Sequence, residues 1–323
     1  MEKKVLVLAN DINRYLGETD GRITEIYRYV TANKILRVIR RIFLALGTGK
    51  RLILGSWITR VREFDTIILF DTGNAKYLIR ILKALSPETR IILWYWNSVE
   101  RSIPVESIDR SLCEIWSYNR SDCEKYDLKF NTQFYIPLSN REKSLRTGQS
   151  PEREGYAEAG KTLEMERSLE IEQEVYFAGA DKDRTELLAQ IREVLEAFHI
   201  SYRFILTGCE GSVETKIKYS DPITPEENIR NIKKSKVVAD IVNQDQWSGF
   251  TLRPFEAVYY RKKLFTNDPM TRELRFYRPE NVFIFGVDQT ERLPSFVGTA
   301  FVPVDERSVQ YYFFDSWLER FFV

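Results

Sequence analysis

At 323 residues, with 43% hydrophobic and 13% aromatic side chains, the chain is long enough for about two domains and too apolar to stay disordered. Lys and Arg number 48 against 47 Asp and Glu, a net charge of +1, so no overall basic excess points to nucleic acid. Three cysteines (Cys113, Cys123 and Cys209) without a CxxC pair argue against a disulfide framework or a zinc ribbon and fit a reducing cytoplasm, while the single His199 excludes His-rich metal sites and Ser-His or Cys-His chemistry elsewhere.

The start, MEKKVLVLAND, holds too few apolar residues for a signal-peptide core, and no segment reaches the ~18 uninterrupted apolar residues of a membrane span. Val5–Ala9 (VLVLA) reads as a strand buried on both faces, as do Thr66–Phe70 and Arg90–Trp96, with further strands expected at Glu114–Tyr118 and Gln133–Ile136. Helical spacing covers Ile23–Val30, Lys34–Leu46 and Ala75–Leu85. Strand and helix alternate as in a parallel α/β domain, expected over residues 1–138. Residues 139–173 are charged and rich in Ser and Gly, and read as a linker or surface insertion. The alternation then resumes over 174–306: strand Val175–Ala178, helix Arg184–Phe198, strand Tyr202–Thr207, helix Pro225–Lys234, strand Val237–Val242, helix Leu252–Arg261, and strands Lys263–Thr266 and Val282–Phe285. An aromatic segment over 307–323, with Ser308–Val323 as its helix, is expected to return to the first domain.

Two parallel α/β domains place ligands at the carboxyl ends of their strands, toward a cleft. The first strand is followed by Asn10-Asp11-Ile12, without GxGxxG, and no P-loop pattern occurs, so nicotinamide, flavin and P-loop chemistry lose their main support. In Gln244–Asn267 a Gly/Thr loop at Gly249-Phe250-Thr251 leads into a helix of about ten residues, whose free N–H groups suit a diphosphate. Arg253 in its first turn adds charge-assisted bonds, and Glu256, one turn on, is spaced to accept hydrogen bonds from two ribose hydroxyls; an ordinary amphipathic helix with a solvated Glu256 accounts for the spacing as well.

The stretch SGFTLRPFEAVYYRKKLFTN, together with Trp94-Tyr95-Trp96-Asn97, Ile115–Leu138 and Val175–Arg184, resembles GT-B glycosyltransferases, and more narrowly the bacterial polysaccharide and lipopolysaccharide transferases related to the CgeB-type group. The resemblance implies two Rossmann-like domains facing a cleft, and a nucleotide-sugar donor as co-substrate with no resident cofactor. It places Glu256 on the donor ribose and Gly249, Thr251 and Arg253 around the phosphates, with Gly179 and Arg184 lining the same pocket. Many members carry a second glutamate eight residues before the ribose glutamate; that position here is Ser248, with Asp245 and Gln246 nearby.

Asp181-Lys182-Asp183 matches the DxD of metal-dependent transferases, but between a strand and a helix an N-cap role outweighs metal ligation, so a metal-independent reaction is expected. His199 reads as a helix-terminal residue. On the acceptor side Asn97 falls at a strand end, and Asp71 ranks slightly above Asp11, ahead of Asp20, as the base for an acceptor hydroxyl. Residues 1–140 hold 22 basic and 16 acidic side chains, a net of +6, leaving −5 for the remainder. Within Lys34–Arg51, Arg37, Arg40 and Arg41 share one helix sector among six basic and no acidic residues. That face is either a surface helix with Ile35, Ile39, Ile42 and Leu46 in the core, or one that meets anionic lipid or a lipid-diphosphate acceptor. The reading is a cytoplasmic glycosyltransferase, at the inner face of the membrane in the second case, with a nucleotide-sugar donor, a glycan or lipid-linked acceptor and no nucleic acid. A sugar-nucleotide epimerase and a non-catalytic partner protein of the same fold are its rivals.

Overall fold

A computed structural model describes residues 4–9, 24–27, 38–39, 42, 56–136, 171–208, 217–243 and 249–323. They fall into two compact units: the first runs to Thr132, and the second takes 133–136 together with 171–323.

The first unit is a six-stranded parallel sheet in the order β2-β1-β3-β4-β5-β6, from β1 (Val5–Leu8), β2 (Thr24–Tyr27), β3 (Thr66–Phe70), β4 (Arg90–Tyr95), β5 (Glu114–Ser117) and β6 (Lys129–Phe130). β1, β3 and nearly all of β4 are buried on both faces, which is why they read as continuous apolar runs rather than alternating ones. Helix α1 (Ala75–Leu85) buries Leu78, Ile79, Ile81 and Leu82 against this sheet's core, and it stops before Pro87. Helix α2 (Arg120–Tyr126) is capped by the Asn119 side chain, which accepts from the Asp122 N–H at 3.0 Å.

The second unit is a five-stranded parallel sheet in the order β11-β10-β9-β7-β8. Its strands are β7 (Gln173–Ala180), β8 (Tyr202–Thr207), β9 (Ser235–Asp240), β10 (Lys263–Thr266) and β11 (Val282–Ile284). They alternate with α3 (Thr185–Ala197), α4 (Pro225–Lys233) and α5 (Arg253–Tyr259), and α6 (Leu293–Gly298), α7 (Glu306–Gln310) and α8 (Phe314–Glu319) follow. The Phe265 and Phe283 rings stack across neighbouring strands at 5.5 Å. In both sheets the strand that comes third in sequence lies on the opposite side of the first from the second, so the strand order reverses between β1 and β3 and between β7 and β9. Ligands of doubly wound sheets bind outside the carboxyl ends of the strands at such a reversal.

Four sequence expectations change. Residues 24–27, inside the helix expected over Ile23–Val30, form β2 beside β1; Thr, Ile and Tyr favour strands, and pairing along a sheet edge overrides a short helical spacing. Gln133–Ile136 is not a strand of the first sheet: Tyr135 makes a single bridge to Phe313, its N–H donating to the Tyr312 carbonyl at 2.8 Å. The C-terminal helix is two short helices, because Phe313 is extended to make that bridge. Trp317 in α8 packs on Phe134, Phe314 and Phe321, all in the second unit. Finally, Ile39 and Ile42 are 41% and 53% exposed and Val38 60%, so these apolar residues do not pack into the core.

Candidate functional site

The carboxyl ends of β7 and β9 gather most of the described donor-side residues. β7 ends at Gly179-Ala180, and the turn that follows runs through Lys182 and Asp183, both in the left-handed region at φ 45° and 63°. Consecutive residues in this conformation cost energy that packing elsewhere must offset, and here they turn Arg184 back over the strand ends. The Arg184 guanidinium donates to the Asp181 carbonyl at 2.9 Å, the Ile241 carbonyl at 2.6 Å and the Ala180 carbonyl, and it lies 5.2 Å from the Phe177 ring centre. It thereby ties the loop after β7 to the loop after β9. Gly179 makes room for it, since a Cβ there would lie 2.9 Å from an Arg184 terminal nitrogen.

Asp181 is bound by side-chain and backbone donors around the turn. It accepts from the Tyr219 hydroxyl at 2.7 Å, the Thr185 hydroxyl at 2.7 Å and the Arg184 N–H at 3.1 Å. Burial alone would push its carboxyl up, but these donors outweigh burial and hold it below the ordinary range. Neither Asp181 nor Asp183 is the N-cap expected from the sequence: Arg184 holds that position and makes no side-chain cap bond, while Asp181 sits three residues earlier and accepts its N–H. Among the described residues no cluster of three or more His, Cys, Asp or Glu side chains is arranged to hold a metal ion. His199 stands exposed past the end of α3 at φ 54°, in the left-handed conformation that often closes a helix.

The loop after β9 returns through Gly249, Thr251 and Arg253. Helix α5 spans the seven residues Arg253–Tyr259, shorter than the ten expected over Leu252–Arg261, because Arg261 turns left-handed at φ 52° and closes it. The Thr251 hydroxyl oxygen accepts the Arg253 N–H at 3.1 Å, and the hydroxyl donates to Asp240 Oδ2 at 2.9 Å. The Arg253 guanidinium donates to the Ala178 carbonyl at 3.0 Å and to Glu256. Burial pulls this guanidinium down, and Glu256 and Asp240 more than compensate, leaving it above its ordinary value. The Glu256 side chain is 12% exposed. A carboxylate has about four acceptor positions, so Arg253 leaves capacity for a diol.

Asp240, absent from the sequence-derived set, closes this cluster. It is the last residue of β9, pairs in register with Thr266 and is 3% exposed. Burial raises its carboxyl to about 6, against the pull of the Thr251 hydroxyl and Arg253, and nearby Asp268 pushes the same way as burial. The signal was present in the sequence: an aspartate inside the apolar run Val237-Val238-Ala239-Asp240-Ile241-Val242 cannot be buried without a reason.

In the first unit, Asp71 and Asn97 meet at the ends of β3 and β4. Asp71 Oδ1 accepts from the Trp96 N–H at 3.0 Å, and the Asn97 amide lies 3.5 Å from Oδ2. Burial raises the Asp71 carboxyl above its ordinary value despite donors from Ser102, Trp96 and Asn97. Three residues on, the buried Asn74 Oδ1 has no hydrogen-bond partner among the described residues. Asp11, Asp20, Arg37, Arg40, Arg41, Asp245, Gln246 and Ser248 lie outside the described residues.

No family model matches the chain, and no curated protein matches it. Solved structures do. Anabaena HepE in complex with UDP and glucose aligns at 11% identity over 99% of this chain and 98% of its own, with a TM-score of 0.54. AviGT4, a glycosyltransferase involved in avilamycin A biosynthesis, aligns at 12% identity over 99% and 96%, with a TM-score of 0.52. A UDP-GlcNAc 2-epimerase from Neisseria meningitidis bound to UDP-GlcNAc aligns at 10% identity over 98% and 100%, with a TM-score of 0.45. The fold of the chain is the two-unit, Rossmann-like GT-B fold.

Proposed function

We propose that the protein transfers a sugar from a nucleotide-diphosphate donor to a glycan or lipid-linked acceptor. One observation carries this reading: Arg184, Thr251, Arg253 and Glu256 converge on the ends of β7 and β9, where the strand order of the second sheet reverses. Two guanidiniums at the strand ends suit the charge of a diphosphate, and a mostly buried carboxylate four residues into the same segment suits a ribose diol. Gly249, with Gln246 and Ser248 before it, completes the donor side in this reading. The short α5 contributes less than a long helix would, so the phosphates rest mainly on Arg184, Arg253 and the Thr251 hydroxyl.

In the reaction the bond between the sugar C1 and the diphosphate oxygen breaks, and the arginines take up the negative charge that develops on the leaving group. The acceptor oxygen forms the new bond to C1, and its proton passes to a carboxylate. Asp71 is the proposed base, with Asp11 the alternative, and Asn97 orients the acceptor. A carboxyl raised by burial is better matched to proton abstraction near neutral pH than a freely solvated one. No metal takes part in this scheme.

The narrower CgeB-type resemblance directs the acceptor toward surface polysaccharide or lipopolysaccharide assembly, with the protein at the cytoplasmic face of the membrane. The exposed Val38, Ile39 and Ile42, interleaved in sequence with Arg37, Arg40 and Arg41, support a peripheral contact with anionic lipid. UDP-sugars are the first donors to test, given the UDP held by the HepE structure. The test is incubation with labelled UDP-sugars, with and without membrane lipid extract, in the presence and absence of EDTA. Label moving to lipid or glycan, with UDP released and EDTA without effect, is expected. Conversion of the donor to another nucleotide sugar without an acceptor identifies an epimerase instead, and loss of transfer in EDTA with rescue by Mn²⁺ contradicts the metal-free scheme.

A further inference from the structure

The Thr251 hydroxyl has one hydrogen to give, and in this structure it gives it to Asp240 Oδ2. Its oxygen already accepts the Arg253 N–H, which leaves one lone pair. In this state Thr251 offers no hydrogen to a phosphate, although it bonds the Arg253 backbone and an Asp240 that lies within the field of the Arg253 and Arg184 guanidiniums, where the donor reading puts one. Reversing the bond to Asp240 releases that hydrogen. A protonated Asp240 would donate its own hydrogen to the free lone pair of Thr251, and the hydroxyl would then point its hydrogen at a phosphate oxygen while still accepting from Arg253.

We propose that Asp240 takes up one proton when a nucleotide-linked diphosphate binds, reversing the Asp240–Thr251 hydrogen bond so that Thr251 donates to the phosphate. This rests on the nucleotide-sugar reading and makes Asp240 a positioning residue, acting through Thr251. The step balances: one proton comes from solvent, Asp240 becomes neutral, and no covalent bond apart from its O–H changes.

The surroundings of Asp240 favour this. It is 3% exposed, so its charge is poorly solvated. Facing it are Thr251, Arg253 of α5, Arg184 of the turn after β7, and Asp268 after β10. The two arginines favour the ionised carboxylate. A diphosphate placed against them brings about two negative charges, draws the same guanidiniums and disfavours a second buried anion. The carboxyl already sits near 6 before any ligand arrives, so the proton is available close to neutral pH.

The test is calorimetry with UDP-glucose, UDP-GlcNAc, GDP-mannose and dTDP-glucose, followed by the tightest binder at pH 6.5 and 7.5 in two buffers of different ionisation enthalpy. These sugars are diphosphate diesters and do not themselves titrate in that window. Proton uptake near one per ligand at pH 7.5 is expected, with binding about 5–10-fold weaker there than at pH 6.5. Asp240→Asn, whose amide can donate to Thr251 as the protonated acid would, should bind equally at both pH values without proton uptake, and Thr251→Val should bind weakly at both. Wild-type binding with no proton uptake and equal affinity at the two pH values overturns the inference and leaves the nucleotide-sugar reading standing. Absence of binding to all four overturns that reading and the inference with it.

Discussion

Ionised, Asp240 is also a cost to the fold. Its carboxyl is raised from 3.8 to about 6, so in the folded protein the neutral form is favoured over the charged one. The stability this group contributes is complete below pH 3.8 and is lost as pH rises through about 6. About two pH units correspond to about 3 kcal/mol. Asp240→Asn should therefore raise the unfolding free energy by up to about 3 kcal/mol at pH 7.5 relative to its effect at pH 4, provided the amide keeps the Thr251 contact. Urea titrations of both proteins at the two pH values measure the difference, and a pH-independent effect would contradict a charged, buried Asp240. Such a destabilised, buried carboxylate has a place in a site that handles an anion, where strain is retained because it serves binding.

At the scale of elements, Glu114 staples three strands. Arg90 donates to its two oxygens at 2.6 and 2.8 Å, Lys129 at 2.9 Å and the Trp116 indole at 3.0 Å, joining β4, β5 and β6. Arg90 is the main cause of a carboxyl held at about 2, so the stabilisation is present above pH 4.5 and fades as pH falls toward 2. Lys129 is 58% exposed and Arg90 31%, so solvent screens much of this attraction. Glu114→Gln should cost about 1–2 kcal/mol at pH 7 and much less at pH 3, read from urea midpoints. A cost that does not shrink with acid would mean that packing, not charge, is lost. The long buried strands and α1 were legible in the sequence because burial on both faces leaves an apolar run, and an eleven-residue helix shows its period several times. β2 and β6 were not: four and two residues carry too little pattern, and neighbouring strands decide their state. Likewise Glu256 and Arg253 stood out by spacing and pair three residues apart on α5, and Asp240 was legible as a charge in an apolar run, whereas the bond from Arg253 to the Ala178 carbonyl depends on strands β7 and β9 lying side by side, which no local window records.

At the scale of the whole molecule, the first five strands of each unit follow the same order and the first unit adds a sixth, while residues 1–140 carry a net +6 and the remainder −5. That asymmetry and the exposed Val38, Ile39 and Ile42 predict binding to anionic vesicles. Binding should weaken as salt shortens the screening length from about 30 Å at 0.01 M to about 8 Å at 0.15 M. Replacing Arg37, Arg40 and Arg41 with Gln should reduce co-sedimentation without changing nucleotide-sugar affinity; equal sedimentation of the two proteins would remove the membrane from the account. The central claim is that the ends of β7 and β9 hold a nucleotide diphosphate, and calorimetry of the wild type and Glu256→Gln with UDP-sugars tests it most directly. Gln keeps an acceptor for the buried Arg253 but removes a charged oxygen from the ribose, so the protein should stay folded. The account predicts binding by the wild type and a loss of about 1–3 kcal/mol, roughly 5- to 150-fold, in the variant. Equal affinity in the two proteins, or no heat with any nucleotide sugar, would contradict it.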